Sequence, residues 1–172
     1  MELPEKIEAA LVSRLRAVVQ AALDAETLPA YFDPDTQIQP GESDEDITAQ
    51  LIRCVCPDAD EEMPLDSGNF WFAPAVELLT PVADQTAAEE ASANPTANTS
   101  ALDKHRALAA LLESAIMVDD LPAQLDAAAL ALGTGYELKI FRVLNRQPQR
   151  AQTASLYQSG YTLRLSACGR TL

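Results

Sequence analysis

The reading of the fold turns on Tyr161-Thr162-Leu163-Arg164-Leu165-Ser166-Ala167-Cys168. Tyr161, Leu163, Leu165 and Ala167 alternate with Thr162, Arg164, Ser166 and Cys168. Side chains along a strand point to opposite faces in turn, so the segment predicts a strand with one face in a core and one in water. That pattern belongs to an antiparallel sheet with a single covered face. Strands of parallel sheets, covered on both faces, read as continuous apolar runs.

Working outward, 136–144 alternates in the same way, with Tyr136, Leu138 and Ile140 on one face and Glu137, Lys139 and Phe141 on the other. The two strands are expected to pair. The patternless 145–160 between them predicts a projecting hairpin arm. Upstream, Ser100 offers a helix N-cap, with Asp103 three positions on. The helix that follows, over 101–117, carries Leu108, Leu111, Leu112, Ala115 and Ile116 on one side. Asp119-Asp120 introduces a second helix over 121–132, stopped by Gly133 and Gly135. Residues 84–100 are rich in Ala, Glu, Asn, Thr and Pro and predict a mobile loop.

Further back, a longer strand spans 69–82, with Phe70, Phe72, Val76 and Leu78 on one face and Trp71 on the other. Pro74 lacks an N–H, so it implies an edge or a bulge. A short strand over 51–56 places Cys54 and Cys56 on one face and ends at Pro57. The chain opens with a helix over 4–23, where Ile7, Leu11, Leu15, Val18, Val19 and Ala22 form one stripe. Strands thus come in adjacent pairs rather than alternating singly with helices. The expected class is α+β, a mostly antiparallel sheet of about four strands with helices packed on one face, in one domain over 1–172.

Composition narrows the function. The 26 acids outnumber 12 bases, for a net charge of −14. A general nucleic-acid binder carries the opposite footprint, and an anionic membrane surface would repel such a chain. No apolar run is long enough to span a bilayer, and the opening Met-Glu-Leu-Pro-Glu-Lys lacks the pattern of a standard export signal. The charge is uneven: residues 1–134 carry −19 and residues 135–172 carry +5. Three cysteines and a single histidine, His105, do not make a disulfide framework or a four-ligand zinc set. His105 borders an apolar stripe between Lys104 and Arg106, which predicts a packed or capping role. Neither a phosphate-binding glycine loop nor a nucleophile elbow is present. The expectation is a protein that is not an enzyme, with no catalytic residue, metal or cofactor.

The order of elements resembles the tail terminator and tail-completion proteins of long-tailed bacteriophages. The likeness is carried by the opening helix with Ala10-Leu11-Val12-Ser13-Arg14-Leu15, the strand 51–56 after an acidic linker, and Phe70-Trp71-Phe72-Ala73-Pro74-Ala75-Val76-Glu77-Leu78. It continues through Asp103-Lys104-His105-Arg106-Ala107-Leu108 and a Leu-rich helix to the two closing strands. It is one of order and texture over nearly the whole chain.

The resemblance implies a structural virion protein made in the host bacterial cytoplasm. Six copies would form a ring at the head-proximal end of the tail tube, touching the tube protein and the head connector. The 84–100 stretch and the strong acidity depart from the family's usual pattern. They leave the place in the neck open between terminator, head–tail joining protein and minor tail protein. From another class, an acidic cytosolic adaptor, inhibitor or chaperone also fits the composition.

For a ring, complementary patches must recur around the axis. The candidate interface residues are Arg142, Arg146, Arg150, Arg164 and Trp71, with the acid run Glu42, Asp44, Glu45 and Asp46 as receiver on a neighbour. A second acid run, Asp58, Asp60, Glu61 and Glu62, offers the same charge. Removing about ten residues from within 84–100, which hold few large apolar side chains to offset ordering entropy, is expected to leave the thermal midpoint nearly unchanged. A melting curve checks it, and a large drop would place that stretch in a core or an interface.

Overall fold

The computed structural model describes residues 3–28, 32–41, 47–58, 61–62, 70–82, 100–117, 121–131, 133, 135–152 and 155–169. The elements run in the order α1 (Leu3–Asp24), α2 (Pro34–Gln37), β1 (Ile38–Pro40), β2 (Leu51–Val55), β3 (Glu61–Glu62), β4 (Phe70–Phe72) and β5 (Ala75–Pro81). They continue with α3 (Ala101–Ile116), α4 (Leu121–Ala131), β6 (Tyr136–Gln152) and β7 (Leu156–Gly169).

The α+β class holds, and the sheet corrects the expectation in two ways. It is mixed, because β1 pairs parallel to β2, and among the described residues it has seven strands rather than about four. The extra strands are short. Periodicity cannot reveal the three residues of β1 or the two of β3, since neither spans a repeat of the pattern. The seven strands fall on five lines: β1, then β2 followed by β3, then β5 continuing β4, then β7, then β6.

The β4–β5 line is the predicted 69–82 strand interrupted at Ala73-Pro74. Phe72 faces Leu165 and Ala75 faces Thr162, so both strands advance three residues and no residue is inserted. Leu163 N–H donates to Pro74 O at 2.8 Å, and the proline has no N–H with which to return the bond. One ladder bond is lost while the register is kept, which is neither an edge nor a bulge.

The β6–β7 hairpin is longer than expected. Residues 145–152 continue β6, and 156–160 open β7, leaving only 153–155 between the strands. The first half of β7 also pairs with β5, from Pro81↔Leu156 to Ala75↔Thr162. The stretch expected to stand off as a connection is therefore strand, laddered to its partner. Its pattern is obscured because the β6–β7 register shifts between Leu138 and Phe141, Val143 and Asn145, and Gln147 and Ala151. The first two irregularities each add one residue to β6 and reverse its alternation, and the third adds two and interrupts it.

The core lies between one face of the sheet and the helices. Tyr161, Leu163, Leu165 and Ala167 are buried, as their alternation predicts, together with Ile52, Cys54, Val76 and Leu78. From α1 the core receives Ile7, Ala10, Leu11, Leu15 and Val19, and from α3 Leu108, Leu112, Ala115 and Ile116. Leu121 and Leu125 enter from α4. Asp126 on α4 accepts a 2.8 Å bond from Leu138 N–H, tying that helix to the start of β6. Arg16 on α1 donates to the carbonyls of Asp35 and Ile38, both at 2.8 Å, holding β1 against the helix. Without that side chain three residues would make a poor strand.

The α3 N-cap forms as predicted: Ser100 Oγ accepts from Asp103 N–H at 3.2 Å and donates to the Asp103 carboxylate at 2.7 Å. At the C-terminal end of α1, Glu26 takes φ 55°, and Thr27 and Leu28 N–H both return to Ala22 O. A left-handed residue at a helix C-terminus favours glycine. Glu26→Gly is therefore expected to raise stability by up to about 1 kcal/mol, read as a higher midpoint in urea denaturation.

Candidate interaction surface

The sheet face away from the core follows from the strand registers. Arg53 on β2 stands opposite Glu77 on β5, and Glu77 stands opposite Gly160 on β7. One line over are Leu51, Leu79 and Gln158. Arg53 and Glu77 form a 3.0 Å ion pair across the strands, and both side chains are partly exposed. Such a pair contributes up to about 1 kcal/mol and chiefly fixes orientation. Beside it lies a recess of about 210 Å³ lined by Arg53, Glu77, Leu79, Gln158 and Ser159. Gly160, opposite Glu77, adds no side chain to this part of the face.

Toward the other end of β7, Trp71 on β4 faces Ser166, and Arg164 lies two residues along on the same face. The Arg164 guanidinium carbon sits 4.7 Å from the centroid of the Trp71 ring. A cation over an indole face adds about 0.5–1 kcal/mol at a partly exposed site. Ser166 was expected on a wet face and is instead fully buried, although its neighbour Arg164 remains half-buried. The outer face is thus only partly open to solvent.

Two of the sequence candidates, Trp71 and Arg164, are brought into contact, and a third joins them by register: Arg142 on β6 is the direct partner of Arg164 on β7. The others separate. Arg146 pairs with Tyr161, a core-face position, because the register shifts between Val143 and Asn145. Arg150 falls inside the irregular stretch between Gln147 and Ala151. Arg146 and Arg150 were expected on a projecting arm between strands, and both positions instead lie within β6. Glu42, Asp44, Glu45 and Asp46 lie outside the described residues, as does most of the 84–100 stretch.

Sequence reasoning missed a polar chain inside the core. Gln50 Nε2 donates to Thr80 Oγ1 at 3.0 Å, Thr80 Oγ1 lies 2.8 Å from His105 Nδ1, and His105 Nε2 lies 2.7 Å from Ser159 Oγ. All four residues are buried. Since Thr80 accepts from Gln50, its own proton can serve Nδ1, which assigns the hydrogen to Nε2 and points it at Ser159. His105 thereby links α3 to both β5 and β7. Tyr161 Oη adds a second tie, donating to Ala109 O on α3 at 3.0 Å. The only sequence signal for this chain was a histidine at the rim of an apolar stripe. A serine beside a histidine suggests nucleophilic chemistry, but Ser159 is 1% exposed, so no substrate carbonyl can reach its hydroxyl.

Burial pushes the His105 imidazole down to about 4 from its usual 6.5. Burial also pushes the Cys54 thiol up to about 12, with the Glu8 carboxylate adding to the effect, which makes it a packing group rather than a nucleophile. Cys54 and Cys56 do share the core face, and Cys56 N–H donates to Glu8 Oε1 at 2.7 Å. Among the described residues no group of three or more His, Cys, Asp or Glu side chains could hold a metal ion. No helix among them is long and apolar enough to cross a membrane. Comparison with protein-family models and with curated protein sequences finds no match.

The histidine makes stability depend on acid. The unfolded chain takes up the proton near pH 6.5, while the native state resists it until about 4. The stabilisation from a neutral His105 is full above pH 6.5 and is lost as pH falls toward 4, by on the order of 3 kcal/mol. Denaturant titrations at neutral and mildly acidic pH read this loss, and His105→Gln should remove most of the difference between them. His105→Ala, which leaves a hole and two buried hydroxyls without their partner, is expected to cost roughly 2–4 kcal/mol at neutral pH.

Proposed function

We propose that this chain is a structural subunit of a phage tail neck, a terminator-like protein that closes a tail tube as a ring. The observation that carries the reading is the element order over nearly the whole chain. An amphipathic helix leads through an aromatic strand and two helices to a long closing hairpin in the net-basic part of the chain, +5 over residues 135–172 against −19 over residues 1–134. A ring is built from a heterologous contact repeated around an axis, and it needs two unlike patches on each subunit. Here the two parts of the chain differ in sign. The helices cover one face of the sheet and leave the other with its ion pair, its recess and its stacked Trp71–Arg164 pair. In this role the acidic body also suits the passage of DNA, because a negative lining does not bind it.

The partners under this reading are further copies of the chain, six per ring by analogy with the family it resembles, with the tube protein below and the head connector above. The purified protein is expected to sediment as a multi-subunit particle, to look annular in negative-stain electron micrographs, and to cap one end of tail tubes added to it. A virus lacking the gene should make tubes of uncontrolled length. A monomer that ignores tube ends, together with tails of normal length in its absence, would overturn the proposal.

A further inference from the structure

We infer that the recess beside the Arg53–Glu77 pair is a binding site for a small uncharged amide, either a peptide group or a carboxamide. The inference stands apart from the ring reading. It rests on what lines the recess: two charges that hold each other, a carboxamide without a partner and an apolar wall.

The two charges are already engaged. Arg53 and Glu77 meet at 3.0 Å, and each has a further interaction within the chain. A charged ligand beside the pair is attracted by one member and repelled by the other, while it gives up its own water. The recess therefore selects a ligand without net charge.

The hydrogen-bonding group left over is Gln158. Its side chain is half-buried and lines the recess, and its carboxamide has no hydrogen-bond partner among the described residues. A carboxamide presents an acceptor and donors side by side. A second amide presents the same pair in reverse, so two N–H···O bonds form together as water leaves. Leu79, 3% exposed, gives the wall on which the ligand's carbon atoms rest.

The strands hold these groups in place before any ligand arrives. Gln158 is the direct partner of Leu79, and Glu77 is the direct partner of Arg53. Gly160, opposite Glu77, leaves its position without a side chain. The β2–β5 and β5–β7 registers run without a shift, and a site built on regular strands keeps its geometry better than one built on loops. The recess of about 210 Å³ has room for roughly seven waters, which suits a ligand the size of a single residue blocked at both ends.

The test titrates N-acetylglycine methylamide, which is uncharged and carries two peptide groups, into the isotope-labelled chain. Nuclear magnetic resonance follows the side-chain amide of Gln158 and the backbone amide of Gly160. N-acetylglycine, an anion, and glycine methylamide, a cation, each differ from it by one blocking group. The uncharged compound should give saturable shifts at both positions, with a Kd of about 1–10 mM for so small a ligand. Each charged compound should bind at least about fivefold more weakly, and Gln158→Met should weaken the uncharged one by a similar factor.

Equal or tighter binding of the anion would overturn the inference, because Arg53 would then govern the site. So would unchanged binding to Gln158→Met, or no shift at Gln158 with the uncharged compound. If Gln158→Met loses its cooperative melt, the three compounds on the wild type decide. A dilution series without ligand separates the sources of the amide. Gln158 shifts that grow with protein concentration, and that N-acetylglycine methylamide reverses, would assign the amide to a second copy of the chain. Binding with concentration-independent resonances would assign it to a free small molecule, and either source supports the inference. Annular particles that bind none of the three compounds would overturn this site and leave the ring reading standing.

Discussion

The structure depends on β7 being paired along both of its edges. One edge receives β5 and then β4, and the other receives β6. A strand so enclosed has its backbone donors and acceptors taken up by neighbours, so its side chains alone decide what lies above and below the sheet. Tyr161, Leu163, Leu165 and Ala167 commit one face to the helices. That choice turns Thr162, Arg164 and Ser166 to the other face. A slip of one residue would exchange the two sets, placing Arg164 in the core, and this fixes the register of the whole sheet.

The same strand carries the polar groups that seat α3. Ser159 and Tyr161 both face the core and reach the helix, one through His105 and the other through the carbonyl of Ala109. Apolar contact is indifferent to small sliding movements, whereas buried hydrogen bonds are not, because each broken one leaves a desolvated group unpaired. The chain from Gln50 through Thr80 and His105 to Ser159 therefore gives the helix one position on the sheet. A neutral histidine suits this place because it donates with one nitrogen and accepts with the other, so it can join two hydroxyls without burying a charge.

The alternation of β7, the stripe of α1, the stripe and N-cap of α3 and the shared face of Cys54 and Cys56 could all be read from the chain, because each depends on neighbours within a few residues. The interior position of His105 was legible only as a histidine beside an apolar stripe. Its partners, Thr80 and Ser159, lie 25 and 54 residues away in sequence and carry no local mark. The candidate surface was legible in part. Trp71 and Arg164 could each be picked out by residue type, but their contact requires β4 to lie beside β7.

The sequence by itself determined which residues are apolar at helical or strand period, where Ser100 starts a helix, and that the net charge turns positive over residues 135–172. Only the tertiary structure decided how the strands are ordered, that β1 runs parallel to β2, and which arginines share a face. The physical reason is that periodicity is set by backbone geometry, which repeats within one element, whereas pairing is set by contact between elements distant in the chain. The β6 register shows the difference most plainly. Arg142 and Arg146 are four residues apart and would share a face on a regular strand, yet one irregularity pairs Arg142 with Arg164 on the outer face and Arg146 with the core residue Tyr161.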